Sequence, residues 1–145
     1  MIVLDTHIWH WWVNQIPGKL SASTVALIEE ADAVGLSAIS CFEMAWLVRH
    51  GRIDLDMAFD EWLRQVEAGR SVEFLPVTPW IGARAVALPE HHKDPQDRII
   101  IATTLHYRAS LISFDAQFSF YQELDGLLIS ANLGEPKAGN EPATA

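Results

Sequence analysis

The sequence is poor in positive charge. Ten Lys and Arg stand against nineteen Asp and Glu, a formal net charge of −9. That balance works against a polyanion-binding surface built on phosphate neutralisation. It is tolerable only if a cation offsets some carboxylates and if Arg49, Arg52, Lys93, Arg98 and Arg108 gather on one rim. A single cysteine, Cys41, excludes an internal disulfide and a cysteine zinc site, and reads as a small core residue. The six histidines, His7, His10, His50, His91, His92 and His106, contain no His-Glu-x-x-His pattern of a zinc hydrolase and read as surface or core residues. No apolar run approaches the ~20 residues of a membrane span. The short one at the start is interrupted by Asp5, too early for a signal sequence, so the chain reads as cytoplasmic and without a membrane partner. There is no internal repeat, and no linker before Gly134.

What is present fits one domain. Half of the 145 residues are hydrophobic and six are tryptophan, enough for a sizeable core. The Pro-, Gly- and Ala-rich end has nothing to bury, so residues 1–133 are read as the folded domain and 134–145 as a disordered tail. Short apolar runs at 2–4, 35–38, 72–75 and 110–113, with a fifth at 127–129, predict buried parallel strands. Segments of helical length and period lie between them at 25–31, 41–50, 57–68, 80–88 and 95–107. Strands alternating with helices give an α/β fold, a mainly parallel central sheet flanked by helices in three layers. Asp56 and the Asp94-Pro95 pair read as helix starts, and Gly51 and Gly69 as stops. The cluster Trp9-His10-Trp11-Trp12 reads chiefly as core or protein interface, with base stacking as the other use of its rings.

Four acids fall near strand ends: Asp5, Glu43, Asp97 and Asp115. In an open parallel sheet the carboxyl ends of the strands line one crevice, where ligands of α/β proteins bind. Placing Asp97 there requires its helix to start at that edge. Each acid also has a structural explanation as a helix cap, Glu43 as the last residue of a capping box begun by Ser40, and singly the cap is the better account. Glu43 shifts the balance, because Phe42, Met44, Ala45, Trp46, Leu47 and Val48 predict a helix that is apolar nearly all round and buried. A buried carboxylate needs a compensating charge. Several carboxylates at one edge are hard oxygen ligands suited to Mg²⁺ or Mn²⁺, an arrangement that hydrolyses phosphodiesters.

The order of these residues resembles the PIN-domain ribonucleases, specifically the VapC-like toxins of type II toxin–antitoxin pairs. The pieces are Ile2-Val3-Leu4-Asp5-Thr6-His7, Ser37-Ala38-Ile39-Ser40-Cys41-Phe42-Glu43-Met44-Ala45, His92-Lys93-Asp94-Pro95-Gln96-Asp97-Arg98-Ile99-Ile100-Ile101-Ala102 and Leu111-Ile112-Ser113-Phe114-Asp115. The resemblance implies a PIN-like fold and a Mg²⁺- or Mn²⁺-dependent RNA endonuclease, with Asp5, Glu43, Asp97 and Asp115 as catalytic and metal-binding acids. It implies that Asp94 is an outer acid, that Thr6 orients Asp5 or a bound water, and that Ser40 and Arg98 support the site. It further implies a homodimer, silenced by a small antitoxin. A haloacid-dehalogenase-like phosphatase with Asp5 as nucleophile fits less well, because His7 stands where the general acid belongs. A response-regulator receiver lacks its phosphoacceptor, since Pro76 follows the third strand. A non-enzymatic α/β interaction module, its acids all caps, is the remaining alternative.

Overall fold

The computed structural model describes residues 1–131, so the predicted tail at 134–145 lies outside the described residues. Five strands, β1 (Ile2–Leu4), β2 (Val34–Ser37), β3 (Glu73–Leu75), β4 (Ser110–Ser113) and β5 (Leu128–Ser130), form one sheet in the order β3-β2-β1-β4-β5. Every pairing is parallel, with Val3 beside Gly35 on one flank and Leu111 on the other. Six helices connect them: α1 (Thr6–Val13), α2 (Ala22–Glu29), α3 (Ala38–Arg49), α4 (Phe59–Gly69), α5 (Pro79–Ala87) and α6 (Pro95–Tyr107).

Successive strand residues point to opposite faces. Leu4, Leu36 and Ile112 therefore pack with Ile8 and Trp9 of α1, Ile28 of α2, Met44 and Leu47 of α3, and Trp62 and Val66 of α4. Val3, Leu75 and Leu111 face the other way, onto Ile100, Ile101 and Leu105 of α6 and onto Phe118, Tyr121 and Leu124 from two 3₁₀ turns after β4. The result is the three-layer α/β arrangement expected. Trp9 is fully buried and Trp11 and Trp12 pack partly buried against the same core, so this cluster is mainly interior. Cys41 also packs partly buried there, and burial pushes its thiol up to about 11.

Several sequence expectations are corrected at helix ends. Helix α3 begins at Ala38 directly out of β2, and Ser37, not Ser40, is its N-cap, its hydroxyl accepting from the Ile39 amide at 3.2 Å. Glu43 thus sits in the second turn, too far along for a capping box. Nor is α3 apolar and buried all round, since Phe42 is 56% and Trp46 44% exposed while Met44 and Leu47 face the core. Asp56 caps nothing, because α4 begins at Phe59 after Ala58. Gly51 does take the positive φ expected of a helix stop, whereas Gly69 remains helical and Arg70 adopts the left-handed conformation in its place.

Candidate functional site

Each strand of a parallel sheet delivers the residue after it to the same edge, and at this edge the acids meet. Asp5 follows β1 and caps α1, its Oδ1 accepting from the Thr6 amide at 2.8 Å and its Oδ2 from the Ser113 hydroxyl at 2.7 Å. The Ser113 hydroxyl in turn accepts from the Asp115 amide at 3.0 Å, tying the end of β4 to the end of β1. Asp115 caps the first 3₁₀ turn and Asp94 caps α6, accepting from the Gln117 and Gln96 amides. Asp97 lies in the first turn of α6, which does start at the acidic edge. Capping and clustering are therefore compatible for Asp5, Asp94 and Asp115.

The hydroxyl of Thr6 lies 2.7 Å from Glu43 Oε1 and 2.9 Å from Ser40 Oγ. Its single proton goes to the carboxylate, which can only accept. Thr6 thus positions Glu43 by its side chain and Asp5 by its amide, a division the sequence does not reveal. Burial is the main cause of the raised affinity of this cluster for protons. Asp5 and Glu43 are both held above the usual carboxylate range by burial first, opposed by the hydrogen bonds just described. Asp97 is pushed up to about 8 by burial and then by the charges of Asp5, Asp94, Glu43 and Asp115. Carboxylates that raise one another's pKa are short of counter-charge, and the charge of His7, which lowers Asp5 and Glu43, does not outweigh their burial. The side-chain nitrogen that reaches them is that of His92, whose Nε2 lies 2.9 Å from Asp97 Oδ2 and 3.1 Å from Asp115 Oδ2. A divalent cation fits this donor set, since it would supply the missing positive charge to oxygens of the type Mg²⁺ and Mn²⁺ prefer.

Two residues read differently in the structure from the sequence expectation. His92 is not an ordinary surface or core histidine but part of the acidic cluster, and the only signal for it was its place in the His-x-Asp-Pro-x-Asp-Arg motif. Arg98 is buried and does not belong to a basic rim. Its Nη1 donates to the carbonyls of Pro89 and His92 at 2.9 and 3.1 Å, and its Nη2 to those of Val86 and Leu88 at 3.0 and 2.8 Å. The guanidinium closes the carboxyl end of α5, where helix carbonyls lack partners, and fixes the loop that carries His92. Arg108 caps the far end of α6, about 16 Å along the helix axis from Asp97. Arg49 is the last residue of α3 and Arg52 follows it, at the end of that helix away from the acids, which leaves Lys93, next to Asp94 in the chain. The five cations do not share a rim. Ser113, which bonds Asp5 and Asp115 together, was not singled out by the sequence at all.

Comparison with known proteins agrees with this geometry. The family profile described as "PIN domain" matches residues 2–124. Ribonuclease VapC22 of Mycobacterium tuberculosis is 38% identical over 115 residues, spanning 79% of this chain and 86% of that protein. Among solved structures, VapBC2 from Rickettsia felis bound to a DNA fragment from their promoter gives a TM-score of 0.66 at 16% identity, over 90% of this chain and 98% of that one. A toxin–antitoxin complex from Klebsiella pneumoniae gives 0.64 at 19% identity, over 90% and 98%. At such identities the likeness is one of fold, and neither the phosphatase nor the receiver alternative accounts for the profile match. With that match spanning most of its length and its acids gathered at one strand edge, the chain belongs to the PIN domain family.

Proposed function

We propose that this protein is a metal-dependent endoribonuclease, the toxin of a toxin–antitoxin pair, and that Asp5, Glu43, Asp97 and Asp115 form its catalytic and metal-binding site. The observation that carries this reading is the convergence of Asp5, Asp94, Glu43 and Asp115 on Asp97, which leaves excess negative charge at the strand edge. Its support from relatives is the 38% identity to a protein named as a ribonuclease, together with a fold shared with toxin–antitoxin complexes. These carboxylates would hold Mg²⁺ or Mn²⁺, which when bound would supply Lewis acidity toward water and charge compensation at the scissile phosphate. The chain's own residues fix the geometry. Ser113 and the Thr6 amide set the plane of the Asp5 carboxylate, the Thr6 hydroxyl sets Glu43, and the Asp94 cap fixes the first turn of α6 that presents Asp97.

RNA is the substrate and a small cognate antitoxin the silencing partner. A homodimer is the assembly, and the exposed apolar side chains of Trp80 and Val86 on α5 are ones a second copy could cover. Residues 1–133 carry the nuclease. No helix among the described residues is long and apolar enough to cross a membrane. The test is cleavage of RNA by the purified protein in Mn²⁺ or Mg²⁺ and its loss in EDTA, and persistent cleavage in EDTA by metal-free protein would refute the reading.

Linkage gives an independent check. A cation that binds only the folded chain stabilises it by RT ln(1 + [L]/Kd), about 2.7 kcal/mol at 100 times Kd. The melting temperature rises with Mn²⁺ or Mg²⁺, and a flat response at millimolar Mn²⁺ would return the acids to a purely capping role.

Glu43 separates activity from stability. Glu43→Gln keeps the shape and a partner for Thr6 while removing a charge from the cluster, so cleavage falls by about 100-fold or more while the melt in EDTA is unchanged or higher. Paired cleavage assays and denaturant melts check this. Near-normal cleavage would take Glu43 out of the site.

A further inference from the structure

We propose that His92 is a nitrogen ligand of the cation held at Asp97 and Asp115, and that it makes the site favour Mn²⁺ over Mg²⁺. The inference rests on the metal-dependent reading above and adds to it a donor that is not a carboxylate.

The geometry comes first. One ligand atom each from His92, Asp97 and Asp115 lie within 4.8 Å of one another, close enough to surround a single ion. Nε2 is the shared atom, approaching an Oδ2 of both acids at 2.9 and 3.1 Å, and a single ring N–H cannot be directed well at two acceptors together.

The second observation is how firmly His92 is held. Its amide donates to Tyr121 Oη at 3.0 Å and its carbonyl accepts from Arg98 Nη1 at 3.1 Å, both partner residues being buried. Its ring meets Phe118 edge-on, with centroids 5.8 Å apart. Backbone and ring are thus fixed on three sides, and the remaining direction is the one in which Asp97 and Asp115 lie. A solvent-facing histidine needs no such support. Preorganised donors are what a metal site requires of its ligands.

The third step is chemical. Mg²⁺ is hard, keeps its waters and binds oxygen, whereas the first-row divalent ions accept imidazole. Replacing one oxygen donor by Nε2 therefore costs Mg²⁺ more than Mn²⁺.

The experiment uses the full chain freed of metal with EDTA and then dialysed. Mn²⁺ and Mg²⁺ are titrated separately into the wild type and His92→Gln by calorimetry, and the Mn²⁺-loaded wild type is examined by pulsed electron paramagnetic resonance. The expected result is echo modulation from a directly bound imidazole nitrogen in the wild type. His92→Gln should bind Mn²⁺ about tenfold or more weaker, with Mg²⁺ affinity little changed, so that the preference collapses. Mn²⁺ bound without nitrogen modulation overturns the role of His92 and leaves the carboxylate site standing. Equal or tighter Mn²⁺ binding by the variant does the same and marks His92 as a placeholder that the ion displaces. Failure of the wild type to bind either ion overturns the metal-dependent reading itself. The resonance measurement needs no variant, so poor folding of His92→Gln does not remove the test.

Discussion

Asp97→Asn abolishes RNA cleavage, with kcat reduced at least about 100-fold, and yet melts at a higher temperature than the wild type when metal is absent. Both effects arise from the same charge. Asp97 faces Asp5, Asp94, Glu43 and Asp115, with the side-chain nitrogen of His92 reaching it, and its pKa stands at about 8 against an ordinary 3.8. Because the folded chain keeps a proton there that the unfolded chain gives up, the folded state binds more protons across that interval. Stability therefore falls as pH rises from about 4 to about 8, and the loss is complete above that window. Asparagine carries no charge to repel its neighbours. The variant matches the wild type near pH 4 and exceeds it by several degrees at pH 8, and it loses most of the melting increase that Mn²⁺ gives. Asp5→Asn is expected to be equally inactive. Thermal melts in EDTA at several pH values, alongside RNA cleavage in Mn²⁺, test both halves. A folded Asp97→Asn protein that still cuts RNA would remove Asp97 from the catalytic set.

Arg98→Met has the larger effect on the fold. It leaves the carbonyls of Val86, Leu88, Pro89 and His92 without the donor that serves all four. Losing one partner from a buried, charge-assisted network costs about 3–5 kcal/mol, enough to lower the melting temperature by more than about 10 °C in a domain of this size. Arg98→Lys recovers less than half, because an ammonium on one stem cannot reproduce a planar fork spanning four acceptors. In whatever fraction folds, cleavage drops as well, since the carbonyl of His92 is no longer tethered. RNA affinity measured in EDTA is unaffected in the folded fraction, which distinguishes this role from a phosphate contact. Chemical denaturation of the three proteins decides the point, and a loss of under about 1 kcal/mol in Arg98→Met would show that the clamp is dispensable.

The sheet was legible in the sequence because fully buried parallel strands are short, apolar and separated by helices, and all five expected strands overlap closely with what forms. The acids were legible because a parallel sheet sends its strand ends to one side. Helix starts were less so. Ser37 and Ser40 are equally good caps by residue type, and the choice is made by β2, whose pairing with β3 through Ser37 leaves no loop before α3. The orientation of α3 was hidden for a related reason. An all-apolar stretch announces burial, but the core takes in Met44 and Leu47 and, in part, Cys41 and Val48, while Phe42 and Trp46 remain outside. His92, Arg98 and Ser113 act through partners that the fold alone brings near, including carbonyls, which every residue has. Residue identity cannot advertise such a contact.

The hydrogen bond between Ser113 and Asp5 joins positions 108 residues apart and lies at the centre of the sheet. For a chain made from its amino end, β1, β2 and β3 can pair early, but the flank of β1 that receives β4 stays open until Ser110–Ser113 has been synthesised. Such distant pairing is slow to form, and an open strand edge is prone to join other chains. The unfinished protein carries Asp5 and Glu43 but neither Asp97 nor Asp115 in place. On the assignment proposed above it therefore lacks half of its acidic site, and RNA near the ribosome that makes it is spared until β4 has joined the sheet.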